Sequence, residues 1–239
     1  MERQKISEKF SELRERKEGA LICYIMAGDP SAEGTCTVVK ALVDGGADII
    51  ELGFPFSDPV ADGPTIQVAG QRALAAGLDT QRYFELVKAL KVRIPLVCMT
   101  YYNPVFRYGV EKFVEQAADS GISGLIVPDI PVEEAADLKN SCDKHEVDLI
   151  FLVAPTTTEE RVRKILERGS GFLYLVSRLG VTGTREDVSS STRELLSRIE
   201  TRLPKAVGFG ISTGKQAAEV REAGADAVIV GSAFVRIIE

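Results

Sequence analysis

Apolar and polar positions along the chain fall into blocks. Continuous apolar runs recur at residues 20–27, 47–53, 94–100, 124–127, 148–153, 171–177, 206–210 and 227–230. Between most of them lie segments whose apolar residues sit at helical spacing, at 31–43, 65–76, 110–120, 132–144, 158–168, 192–203 and 213–223. A strand that is apolar throughout, instead of alternating, is expected where both faces of a sheet are covered. Strict strand–helix alternation predicts a parallel sheet, and eight such units match a (β/α)8 TIM barrel of about 250 residues. A doubly wound open sheet competes on the same pattern. No Pro/Gly/Ser linker divides the chain, so residues 1–239 read as a single domain. Ile6, Phe10 and Leu13, at i, i+4 and i+7, predict an extra amphipathic helix ahead of the first strand, with an apolar stripe that must cover something. At the other end, the last residues fall where an eighth helix is just starting, so the last helix reads as truncated.

Composition narrows the function. The chain is 45% hydrophobic and 27% charged with a net charge of -6, and its basic residues are scattered, which argues against nucleic acid as a partner. No apolar run reaches the roughly 18–20 residues that span a bilayer. The charged N-terminus lacks the apolar core of a signal peptide, and a cytoplasmic protein is expected. Cys23, Cys36, Cys98 and Cys142 lie far apart without a CxxC pair, so they read as buried thiols and no metal site is expected. The single histidine, His145 in DKHEVD, falls in a linker after a helical segment. Acid–base work is left to carboxylates, tyrosines or lysines.

The chemistry concentrates in ELGFPFSDPVADGPTIQ, residues 51–67. Glu51 closes an apolar strand, and behind it Pro55, Pro59 and Pro64 stiffen a loop that carries Asp62. Apolar surroundings raise a carboxyl pKa and favour proton shuttling, although a buried glutamate can also be an arginine's partner. Asp62, before Gly63-Pro64, could equally be a turn-former or a helix cap. In barrels of this kind the working face is at the strands' C-terminal ends. Those ends supply Tyr24, Glu51, Thr100, Tyr101, Asp129, Leu152 and Tyr174, which describe a flat apolar ligand with few polar handles. Periodicity does not fix whether Tyr174 points in or out. The last three strands end in glycine turns, GVTG at 180–183, GFGIS at 208–212 and Gly231-Ser232, which suit a phosphate group held by backbone N–H donors. No lysine falls at a strand's C-terminal end, which argues against Schiff-base chemistry, and the histidines of a metal-dependent aldolase are missing.

ELGFPFSDPVADGPTIQ, LVSRLGVTGT, GFGIS and the final GSAFV, in this order along nearly the whole chain, resemble the alpha subunit of tryptophan synthase. The resemblance implies a TIM barrel that cleaves indole-3-glycerol phosphate to indole and glyceraldehyde 3-phosphate, a retro-aldol reaction with no cofactor in this subunit. It implies that Glu51 is the acid–base group, that Asp62 accepts a hydrogen bond from the indole N–H, and that Tyr174 positions the reacting groups. Tyr24, Ile66, Tyr101 and Phe209 are implied to line the indole pocket, Thr182 to bind substrate, and Gly183, Gly210, Gly231 and Ser232 to hold the phosphate. Loops 53–62 and 178–191 are implied to move, the second closing over the substrate. The implied partner is a PLP-dependent beta subunit in an α2β2 complex, with Phe54-Pro55-Phe56, Asn103-Pro104 and Pro128 to Pro131 as the expected docking rim. Tyr24 departs from the family, which often has phenylalanine there.

Overall fold

The computed structural model describes residues 3–176, 190–208 and 210–239. Its strands are β1 (Ala20–Met26), β2 (Ile49–Gly53), β3 (Leu96–Met99), β4 (Ile122–Ile126), β5 (Asp148–Ile150), β6 (Leu152–Val153), β7 (Leu173–Val176), β8 (Lys205–Gly208) and β9 (Ala227–Val230). All strand pairings among the described residues are parallel, in the order β5-β4-β3-β2-β1-β9-β8-β7-β6. The two ends of that order are neighbours in the chain. β5 pairs with β4 and β6 with β7, and between them the Phe151 carbonyl accepts from the Tyr174 N–H at 3.1 Å. The fifth strand of the expected eight is thus one strand interrupted at Phe151, and it closes the barrel.

The continuous apolar runs resolve into two faces with period two. Along β1, Ile22 and Tyr24 face the barrel interior while Cys23 and Ile25 face the surrounding helices. Ile49, Val97, Ile126, Ile150, Ala206 and Ile229 fill the interior, and Leu52, Cys98, Leu125, Leu149 and Val207 pack outward under the helices. The first helix, α1 (Ile6–Glu15), plugs the interior from below with Ile6, Phe10 and Leu13, as its stripe required. Phe10 meets Phe172 at a ring separation of 6.2 Å. Arg3 ties this plug down by donating to the carbonyls of Ile122, His145 and Glu146.

The remaining helices are α2 (Ala32–Asp44), α3 (Pro64–Ala75), α4 (Thr80–Leu90), α5 (Tyr102–Tyr108), α6 (Val110–Ser120), α7 (Ala136–Lys144), α8 (Glu159–Arg168), α9 (Ser190–Arg198), α10 (Gly214–Glu222) and α11 (Ser232–Ile238). Several carry side-chain caps at their first turns. Ser31, Asp79 and Thr158 accept from the N–H groups of Gly34, Arg82 and Arg161, and Thr213 with Gln216 forms a capping box. Two helices go beyond the pattern read from sequence. α4 follows α3 after Gly77, whose φ of 82 breaks the chain direction before Asp79 caps a new helix. α5 turns immediately off β3, held by Asp129, which accepts from the Tyr102 N–H at 2.8 Å. Two boundaries also differ. α7 begins four residues beyond the expected Val132, because a turn bonding Glu134 N–H to the Pro131 carbonyl intervenes. α9 ends at Arg198, short of Leu203, whose neighbour Pro204 disfavours a helical conformation before it. α11 packs on β1 and α3 at the barrel's upper end.

Candidate active site

The cavity opens at the strands' C-terminal ends and holds about 280 Å³. Glu51 reaches it because its strand neighbours Ile50 and Leu52 face outward, which turns the carboxylate inward beside Tyr24, its register partner on β1. Only 2% of Glu51 is exposed, and its Oε2 has no hydrogen-bond partner among the described residues. Burial pushes its carboxyl up to about 8, and the nearby Asp62 carboxylate pushes the same way. A group with that value is protonated at neutral pH yet still able to give up its proton.

Asp62 comes from the other side. The proline-rich loop delivers it to the cavity just before Pro64 opens α3. Burial raises its carboxyl, and a hydrogen bond from the Tyr101 hydroxyl opposes the rise. The Tyr101 hydroxyl also accepts from the Ala61 N–H at 3.1 Å, and its ring lies 5.4 Å from that of Phe56. Tyr101 therefore fixes the loop at Asp62 from behind the wall instead of lining the cavity itself. The Gln67 side-chain amide donates to the Asp62 carbonyl at 2.9 Å, a second tie on the same residue.

Two inward-facing tyrosines add phenol groups to the site. Tyr174 points in, which the sequence left open, and lines the cavity. It fits because its ring reaches over Gly208 on the neighbouring β8; a Cβ there would stand 2.6 Å from the Tyr174 hydroxyl oxygen. Tyr24 fits for the same reason above Gly53, where a Cβ would stand 2.2 Å from its hydroxyl oxygen. Burial, reinforced by the Glu51 and Asp62 carboxyls, raises both phenols well above their ordinary range, so both stay neutral donors.

The other expected residues divide. Ile66 lines the cavity, and Gly210, Gly231 and Ser232 line it as well. Thr182, Gly183 and Phe209 lie outside the described residues, as does most of the 178–191 loop. Thr100 is fully buried and not part of the lining, and Asp129 serves α5 as a cap. Met99, Ile126, Ile211 and Ile229 also line the apolar wall, and none was read from the sequence as a site residue. Three of them sit on strand runs whose inward phase an unbroken apolar sequence does not reveal. Among the described residues no group of three His, Cys, Asp or Glu could hold a metal ion.

The expected docking rim needs correction. Phe54 is buried, with its ring 4.9 Å from that of Tyr83, and Pro55 is buried beside it. Period two along β2 continues into Phe54 and turns it toward the helices. The apolar side chains that stand out on this face are Val60 and Phe106, 79% and 65% exposed.

Comparison with known proteins agrees with this geometry. The family model described as tryptophan synthase alpha chain matches residues 10–239. The tryptophan synthase alpha chain of Methanosarcina barkeri is 88% identical over 239 residues, covering 100% of this chain and 91% of that one. A structure of Mycobacterium tuberculosis tryptophan synthase superposes with a TM-score of 0.90 at 40% identity, covering 98% of this chain and 91% of that chain. The tryptophan synthase subunit alpha of Legionella pneumophila superposes with a TM-score of 0.88 at 37% identity, covering 97% and 87%. A nearly closed parallel barrel, an inward carboxyl held protonated by burial and a second carboxylate facing it thus coincide with matches along almost the whole length, and this chain belongs to the tryptophan synthase alpha chain family.

Proposed function

We propose that Glu51 and Asp62 together perform the cleavage of indole-3-glycerol phosphate to indole and glyceraldehyde 3-phosphate, the reaction that comes with membership of this family. The observation that carries the assignment is the buried Glu51 carboxyl, raised to about 8, in one apolar cavity with Asp62. Protonated Glu51 delivers its proton to indole C3, and the ring nitrogen becomes cationic. Asp62, as the carboxylate, accepts the N–H hydrogen bond and stabilises that cation. Glu51, now ionised, removes the proton from the hydroxyl on the glycerol carbon attached to C3. The O–H electron pair forms the carbonyl of glyceraldehyde 3-phosphate, and the broken carbon–carbon bond returns its pair to the ring. Glu51 ends as it began, protonated. The proton balance closes inside the barrel, which supports a cofactor-free cleavage in this subunit.

On this reading Tyr174 positions the reacting groups, and Ile66 with the apolar wall receives the indole ring. Gly210, Gly231 and Ser232 hold the phosphate, and Thr182, Gly183 and Phe209 complete the enclosure. Residues 1–239 act as one cytoplasmic barrel domain. The beta subunit, which supplies PLP chemistry, receives the indole in an α2β2 complex and docks on the face that carries Phe56, Val60, Asn103-Pro104 and Phe106.

The test is indole release from indole-3-glycerol phosphate by wild type and Glu51→Gln, each with and without a beta subunit. Release that the partner stimulates and the substitution abolishes is expected. Full activity in Glu51→Gln would refute the acid–base assignment.

A further inference from the structure

The Tyr24 hydroxyl has no work in the scheme above. It is a buried donor with no hydrogen-bond partner among the described residues. Glu51 Oε2, on the paired strand, is in the same condition. Leaving either group unpaired is costly, so two together in one wall point to something that satisfies both. A phenol held neutral offers a proton, and a carboxylate that has just given its proton to the ring requires one. A single group answers both needs if it accepts one hydrogen bond while donating another, and a hydroxyl does so.

The position of the side chain says which hydroxyl. The Tyr24 ring lies along Gly231, where a Cβ would meet Tyr24 Cβ and Cδ1 at 3.4 and 3.5 Å, and its hydroxyl lies over Gly53, two residues past Glu51. The side chain therefore runs from the turn assigned to the phosphate toward the acid–base group. With the phosphate and acid–base roles proposed above, the three-carbon chain of the substrate spans those points, so Tyr24 would meet that chain instead of the indole ring that the resemblance implies.

We infer that Tyr24 donates a hydrogen bond to the oxygen of the glycerol hydroxyl that Glu51 deprotonates, making it a specificity contact for the hydroxylated chain. This inference rests on the proposed role of Glu51. Tyr24 keeps its proton throughout; it anchors the oxygen while Glu51 takes the proton and the carbonyl forms. In the free protein the same hydroxyl is a liability.

Tyr24→Phe removes one oxygen and keeps the ring. Three readouts are expected to separate. The kcat/KM for indole-3-glycerol phosphate falls about tenfold, the scale of one hydrogen bond left unmade. The Kd of indole-3-propanol phosphate, which carries ring and phosphate but no chain hydroxyls, stays within about twofold, since the contact it lacks is the one removed. Tm of the free protein holds or rises, because an unpaired buried hydroxyl is gone. An unchanged kcat/KM overturns the inference. So does equal weakening of substrate and analogue, which would place the hydroxyl against the ring or the phosphate. A fall in Tm overturns it as well, since the hydroxyl would then have a partner in the free protein. These outcomes are separable from failure of the Glu51 assignment, which shows instead as turnover surviving in Glu51→Gln.

Discussion

The two ends of the barrel treat their polar groups in opposite ways. At the lower end, backbone N–H groups where strands begin are taken up by side chains. Asp48 accepts from Leu21 at 2.9 Å, Asp226 from Lys205 at 2.8 Å and Ser170 from Leu149 at 3.0 Å. Beneath them α1 closes the interior with Ile6, Phe10 and Leu13, all buried. At the upper end the Tyr24 hydroxyl, Glu51 Oε2 and Thr100 Oγ1 are buried without partners among the described residues. The lower end has one such atom, Gln4 Oε1. Lone buried polar groups are destabilising, and they gather where the strands' C-terminal ends meet the cavity. The lower end makes the barrel stable; the upper end gives up some of that stability for chemistry.

That contrast can be broken from either side. The largest expected effect is at the lower end, where Phe10→Ala removes a buried ring from the plug and is expected to destabilise by about 3–5 kcal/mol. Below the lowered Tm, its kcat/KM is expected to stay within about twofold of wild type, because no cavity residue is touched. A large loss of activity in the folded variant would show that the two ends are coupled.

At the upper end Asp62→Asn keeps the shape and removes the charge. Loss of one electrostatic stabiliser of a charged intermediate typically lowers kcat by about 10²–10³-fold. Indole-3-propanol phosphate is expected to bind nearly as before. Unchanged turnover would return Asp62 to the role of a simple turn-former before α3.

An effect of opposite sign tests the cost of the site itself. The Glu51 carboxyl titrates near 8 in the folded protein against 4.5 for an ordinary glutamate. A raised value means that the native state holds a proton the unfolded chain has lost. The favourable contribution is full below 4.5 and fades as pH rises toward 8, so ionised Glu51 destabilises the fold above that point. Glu51→Gln stays neutral throughout and is expected to be more stable than wild type by up to about 5 kcal/mol at alkaline pH, with little difference under acid conditions. Urea midpoints at both pH values would check it, and a destabilised variant at alkaline pH would mean that the carboxylate has a partner. In the wild type, kcat/KM is expected to fall as pH rises through about 8.

How much of this was legible in the sequence depends on how local the cause is. Glu51 and Asp62 stand out because a carboxyl after an apolar strand and a proline-stiffened acidic loop contradict simple packing. The α1 plug was legible from three apolar residues at helical spacing, and so were the helices that start at Ser31 and Thr213. The chain also carried, in its unbroken apolar runs, the requirement that both faces of the sheet be covered. Those same runs hide their own phase. Which of Tyr174 and Leu175 faces inward, or whether Phe54 forms a docking rim or a core contact, depends on the neighbouring strand and helix. The match of Tyr24 to Gly53 and of Tyr174 to Gly208 joins residues far apart in the chain, and so does the hydrogen bond that lets Tyr101 steady Asp62. The sequence by itself determined most of the elements, their alternation and the two carboxylates, because propensity and pattern act over a few residues. Tertiary structure alone decided that burial lifts Glu51 to about 8 and leaves the Tyr24 hydroxyl beside it unpaired, because desolvation depends on what the rest of the chain places around a group.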